Sequence, residues 1–312
     1  MSAEVETMFS VREAPWHGLG TIIKDAPTSE DAIIKAGLDW KVIQKDIYVP
    51  DGVKPIEGYK ANVRDRDQKV LGVVSNRYRV VQNDEAFAFT EDLLGGGEIF
   101  YETAGSLSGG RRVWMLARIP KQYIINGDEI TPYLVFTNSH DGSGSIKVAI
   151  TPVRVVCQNT LNLALRNAER SWSTMHTVNI KDRMLEAGRT LGLAGAYMTE
   201  LSRSFEKLHK IPMKNGKMQD FVNDLIPLKD DMSDITKKNI GSMRDGIIFR
   251  YLYAPDLETL DEDGYRAINA VSDWATHADP IRRTQNYREN LFSKTIDGLP
   301  IIDKAYRMLQ AV

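Results

Sequence analysis

The chain has 312 residues, of which 42% are hydrophobic and 26% charged, with a formal net charge of −2. This balance is that of a globular protein and excludes disorder, and no apolar run approaches the roughly 20 residues that span a bilayer. Cys157 is the single cysteine, which excludes an internal disulfide and any cysteine-built zinc site.

Residues 1–104 predict a mixed α/β region. The first residues are acidic with no apolar h-region, so no secretory leader is expected and the protein is placed in the cytoplasm. Short strands are expected between Tyr48 and Val74, and KVLGVVSNRYRVV carries strand-forming runs around a polar turn. Asn83 then reads as an N-cap, with Asp84 and Glu85 favourable at the positive helix end. That helix should pass through Phe87 and Leu94 and stop at Gly95, Gly96 and Gly97.

Residues 105–175 predict an antiparallel β-β-β-α unit. The strands are expected at about 112–119, 133–138 and 145–157, with Asp141-Gly142 as the hairpin turn. In the last strand Ile146, Val148 and Ile150 alternate with Lys147, Ala149 and Thr151, the period of a half-buried strand. Pro152 implies an edge position or a bulge. A helix after Cys157 would present Leu161, Leu165, Ala168 and Trp172 on one face, leaving Arg166 and Arg170 at its border.

Residues 176–312 predict helices, continuing as one domain with the preceding unit, and the class is α+β. Met184, Ala187, Leu191, Ala194, Met198, Leu201, Phe205 and Leu208 form an a/d seam of more than three heptads. Asn179 can cap its start, and His209, Lys210 and Pro212 suit its end. The seam fits either internal packing or an oligomer interface. Further helices are expected at about 218–225, 235–253, 265–277 and 301–309.

The charge is unevenly spread. Residues 105–217 hold 16 Lys/Arg against 8 Asp/Glu, and the rest of the chain 24 against 34. A basic middle between acidic flanks fits an anion-binding surface, and equally a solvated face. Gly105 to Gly110 precede Arg111 and Arg112, where glycine amides beside two guanidinium groups can hold a phosphate, or where the chain simply turns. Arg154 lies between apolar residues on an expected strand and must face solvent, pair with a carboxylate or bind an anion. Asn159 follows at the expected helix start, where free amides favour an anion and Asn159 itself can cap.

Other candidates are weaker. No histidine pair has a metal-ligand spacing. His140-Asp141 reads as a ligand, as a general-base pair or, more simply, as part of the turn. Cys157 has no evident base and reads as a small buried hydrophobe. The run YRAINAVSDWATH, followed by Arg282, Arg283 and Arg288, fits a base-stacking face or a core helix with solvated arginines beyond it.

The blocks APWHGLGT, SNRYRVVQNDEAFAF, GGRRVWMLARIP, TNSHDGSGSIKVAITPVRVVCQNTL and INAVSDWATH resemble the phage/plasmid-like proteins that carry domain of unknown function 932. That setting implies DNA transactions. The β-β-β-α order is similar to the core of the ring-forming single-strand annealing proteins, although shared element order does not establish shared function. The expected function is a DNA-binding protein that binds or anneals single-stranded DNA along a basic groove. Its expected contacts are Arg111, Arg112, Lys147, Arg154, Asn159 and Arg166, with no cofactor, no metal and a possible homo-oligomer. The alternatives are a nucleotide-acting enzyme using His140, Asp141 and Arg154, and a structural or host-interaction protein using the heptad seam.

Overall fold

The computed structural model describes residues 5–11, 20–25, 27–50, 52–94, 99–119, 123–125, 128–154, 159–160, 171–177, 182, 194–214, 216–278 and 299–311. The chain divides into two units. The first comprises Met1–Pro120, Tyr133–Ile150 and Arg170–Ala194; the second comprises Lys121–Pro132, Thr151–Glu169 and Gly195–Val312. The class is α+β, as its composition of elements predicts.

In the first unit, β1 (Val5–Val11), β2 (Thr21–Ile23), β6 (Tyr101–Leu107), β7 (Arg112–Arg118), β9 (Asp128–Ser139) and β10 (Ile146–Arg154) contribute to one sheet in the order β2-β1-β6-β7-β9-β10. β1 and β2 pair in parallel, whereas β1–β6, β6–β7 and β7–β9 are antiparallel. Residues 134–136 of β9 are buried in succession, as befits an interior strand covered on both faces. A second sheet holds β3 (Val42–Lys45), β4 (Tyr59–Arg64) and β5 (Val70–Ser75) in antiparallel order.

Among the described residues of this unit, α1 (Ser29–Lys35) and α2 (Asn83–Leu94) are helical segments of seven and twelve residues. Phe87 of α2 meets Tyr101 at 4.9 Å between ring centroids, and Phe89 meets Phe136 at 5.9 Å, so α2 closes the aromatic core. The boundaries of α2 agree with expectation, but Asn83 is not its cap. Its side chain turns into the core, and the first turn is closed instead by Glu85, whose carboxylate accepts from Gln82 N–H at 2.9 Å. The glycines expected to stop this helix lie outside the described residues.

The expected three strands are present as β7, β9 and β10, but Asn159 and Thr160, expected at the start of the following helix, are not helical. Asn159 and Thr160 form β11 (Asn159–Thr160), antiparallel to the end of β10 in the second unit. Trp172, expected on that helix, stands in β12 (Ser171–Thr174), opposite Val148 of β10 in the first unit. Residues 161–170, with Arg166 and Arg170, lie outside the described residues. A short strand, β8 (Tyr123–Ile125), also comes between β7 and β9 in sequence. The β-β-β-α order that underlies the likeness to annealing proteins is therefore interrupted.

In the second unit α6 (Gly264–His277) is the central element: its residues 264–272 are all buried. Around it lie α3 (Ala194–Leu208), α4 (Lys217–Leu225), α5 (Asp234–Tyr253) and α7 (Pro300–Gln310), all close to their expected bounds apart from the start of α3. The seam holds in its described half, with Met198, Leu201, Phe205 and Leu208 buried; Met184, Ala187 and Leu191 lie outside the described residues. Asp263 caps α6 by accepting from Arg266 N–H at 2.9 Å and also meets His209 Nδ1 at 2.7 Å, joining the start of α6 to the end of α3. Among the described residues no helix is long and apolar enough to cross a membrane.

Candidate nucleic-acid interface

Residues 139–144 form a tight turn between β9 and β10. Asp141 Oδ1 accepts from Ser139 Oγ at 2.6 Å and from Ser143 N–H at 2.9 Å, an Asx-turn, while Gly144 N–H donates to Ser139 Oγ at 3.1 Å. Gly142 supplies the positive φ of +77°. Distant segments of the first unit grip this turn. Asn62 Nδ2 of β4 donates to the His140 carbonyl at 2.7 Å, and Tyr78 O–H donates to the Ser139 carbonyl. Gly72 of β5 lies so close that an added Cβ would sit 2.5 Å from Asp141 Cα. His140 N–H donates to the Arg111 carbonyl at 2.7 Å.

Behind the turn, three buried side chains meet residues 79, 81 and 83. His176 Nδ1 lies 2.9 Å from the Arg79 carbonyl, Asn138 Nδ2 3.0 Å from the Val81 carbonyl, and His140 Nε2 3.0 Å from Asn83 Oδ1. Facing acceptors, His176 carries its proton on Nδ1 and His140 on Nε2. Burial, reinforced by His176 nearby, holds the His140 pKa down to about 3, and burial likewise lowers that of His176. The Tyr78 ring stacks on His176 at 4.3 Å, and Trp40 meets His140 edge-on at 5.4 Å.

These contacts correct the reading of His140-Asp141 as a general-base pair. His140 is fully enclosed and bonded to Asn83, whereas Asp141 is engaged by its own turn. Burial raises the Asp141 carboxyl, but the hydrogen bonds from Ser139 and Ser143, with Arg112 nearby, outweigh it and leave its pKa lowered. Among the described residues no three His, Cys, Asp or Glu side chains group as a metal site.

The cations divide into two kinds. Arg64 is buried and neutralised, its guanidinium bidentate to Glu6 at 2.8 and 2.9 Å and bonded to Asp67 at 2.9 and 2.6 Å, with its Cζ 5.3 Å from the Trp40 ring centroid. Its hydrogen bonds lower the pKa of both carboxyls. Arg111 and Arg112 instead stand beside the turn, with Arg112 opposite Ser139 in register and 3.3 Å from Ser143 Oγ. Arg111 is half-buried, and its Nε is enclosed without an acceptor. Arg77 and Arg79 are exposed on either side of the buried Tyr78, whose hydroxyl reaches the same turn. None of these four arginines has an ion-pair partner among the described residues.

Of the six expected contacts, the structure therefore brings together Arg111 and Arg112. Lys147 is half-buried in β10 opposite Ser173. Arg154 and Asn159 pair in register between β10 and β11 in the second unit, so the helix N-terminus expected at Asn159 is absent from that residue. Arg166 lies outside the described residues. The glycine-rich run is also not one loop: Gly105 belongs to β6, and only residues 108–110, all with positive φ, make the hairpin turn before Arg111. The expectation missed Arg77 and Arg79, whose signal was the Arg-Tyr-Arg alternation that exposes both cations once the tyrosine is buried. In the run at residues 265–277 Tyr265 is buried against Phe205 at 4.8 Å and Trp274 is half-buried, while Arg282, Arg283 and Arg288 lie outside the described residues.

Residues 70–294 match the model of a family described as a domain of unknown function, DUF932. No curated protein and no solved structure matches the chain.

Proposed function

The chain belongs to the DUF932 family, and we propose that it binds DNA, single-stranded in preference to duplex, at the end of the first unit's sheet. The observation that supports this reading is the contrast between Arg64, fully neutralised by two carboxylates, and Arg111 and Arg112 beside the 139–144 turn, which together with the exposed Arg77 and Arg79 form no ion pair among the described residues. A guanidinium group left without a carboxylate, with a buried Nε that lacks an acceptor, favours an anion with several oxygens, and a nucleic-acid backbone supplies one at every step. Affinity at such a site comes from phosphate neutralisation with little sequence readout. The phage and plasmid setting of the resembling proteins favours DNA among the polyanions, and pairing or protection of single strands is the activity proposed. Lys147, Arg154 and Arg166 are proposed as further phosphate contacts on the charge pattern of the sequence. A mobility assay with single- and double-stranded oligonucleotides at two salt concentrations tests the reading. Binding that weakens with salt and prefers the single strand supports it; no binding by the intact protein at low salt overturns it.

A further inference from the structure

The helix α5 buries only Ile247 and Tyr251 along its 20 residues. Near its C-terminal end Phe249, Leu252 and Tyr253 are 61%, 46% and 60% exposed. Residues i, i+3 and i+4 of a helix are neighbours on its surface, so the three make one patch. The Phe249 and Tyr253 rings lie 5.3 Å apart between centroids. Arg266, buried in α6, ties the loop that follows to this helix end. Its guanidinium donates to the Tyr251 carbonyl at 2.8 Å and to the Leu260 carbonyl at 3.0 Å. That loop carries Glu258, Asp261 and Glu262, all exposed and without an ion pair among the described residues.

Charge and ring chemistry together select the occupant. The carboxylates add to the negative end of the helix dipole, so they repel a phosphate backbone and attract a cation. Aromatic faces hold a guanidinium group through their ring electrons. The fold already makes this pairing with its own arginines. Arg266 lies 5.0 Å over the Tyr251 ring of this same helix end, and Arg64 lies over Trp40 while paired with Glu6 and Asp67. The outer rings of Phe249 and Tyr253 have no such cation among the described residues. Two arginines of the helix itself are engaged elsewhere. Arg250 pairs with Asp273 at 2.9 Å, and Arg244 donates to the Asn223 and Ile226 carbonyls. We propose that this end of α5 docks an arginine-rich segment of a partner protein. Its guanidinium groups lie over Phe249 and Tyr253, and Glu258, Asp261 and Glu262 balance its charge. The contact uses none of the arginines assigned to DNA.

Calorimetric titration of the full chain with a short peptide of alternating arginine and alanine tests this. The peptide is expected to bind, less tightly as salt rises and more tightly than its lysine counterpart. Phe249→Ser combined with Tyr253→Ser should weaken binding by at least about fivefold, the loss of two exposed cation–π contacts. Both positions are exposed, so thermal melts of that variant should match the parent. Glu258→Gln combined with Asp261→Asn should also weaken binding and flatten its salt dependence, and it decides the matter if the serine variant fails to fold. No binding by the parent at low salt overturns the proposal, as does unchanged affinity in a well-folded variant. So does loss of self-association or of oligonucleotide binding in the serine variant, which would give the face to a second copy or to nucleic acid.

Discussion

Asn83 fixes His140 from one side of its amide and the chain before α2 from the other. Its Oδ1 faces His140 Nε2 at 3.0 Å while its Nδ2 donates to the Leu38 carbonyl at 2.9 Å. Asn83→Ala leaves both of those buried groups unpaired, at a cost of about 1–3 kcal/mol for each. Urea unfolding, read as a lowered midpoint with an unchanged slope, measures the loss.

The same histidine makes stability depend on pH. Its folded pKa, about 3, lies below the value of about 6.5 for a free histidine, so the unfolded chain binds the extra proton between these limits. Its contribution is fully present above about pH 6.5 and is lost as pH falls through the window, with a limiting slope of about 1.4 kcal/mol per pH unit. His176, also lowered by burial, acts in the same direction. Unfolding midpoints at pH 7.5, 6 and 5 should fall for the parent and fall less steeply for His140→Gln.

Leu201 is wholly buried in α3. Leu201→Ala should cost about 2–5 kcal/mol, the range for truncating a packed core side chain. A change near zero in chemical unfolding would contradict the packing of the seam.

Elements written in a local period were legible in the sequence. Residues 83–94, α4, α6 and α7 carry apolar stripes, and Asp141-Gly142 announces its own turn. What the sequence hid depends on partners far along the chain. Asn83 looks like a cap because capping is local, whereas its actual partners, Leu38 and His140, are 45 and 57 residues away. Trp172 fits a helical stripe until Val148 pairs with its strand. The candidate site was half legible for the same reason. Arg111 and Arg112 follow a visible turn, but the burial of Tyr78 between the exposed Arg77 and Arg79 depends on Ser139, far along the chain.

The arginine cluster predicts a salt dependence. Alanine at both Arg111 and Arg112, or at both Arg77 and Arg79, should weaken single-strand binding and lower the magnitude of the log-affinity against log-salt slope by about 0.7 for each phosphate left without its cation. Arg64→Met should leave that slope unchanged while destabilising the fold, because Glu6 loses the partner that holds it in a partly buried site. Titrations paired with thermal melts separate the two effects. Unchanged slopes in well-folded arginine variants would remove these residues from the interface.

The grip on the 139–144 turn also bears on where this protein can be cut. The family match begins at residue 70, the first residue of β5, and so divides a sheet between strands that are hydrogen-bonded to each other. A fragment that starts there lacks β3 and β4, and with them Asn62, which holds the His140 carbonyl, and Trp40, which covers the His140 ring. The span defined by shared sequence is therefore smaller than the span that can fold. Expression of residues 70–294 alone should yield an aggregating or partly unfolded product, and the first 69 residues should be retained in any dissection of this family member.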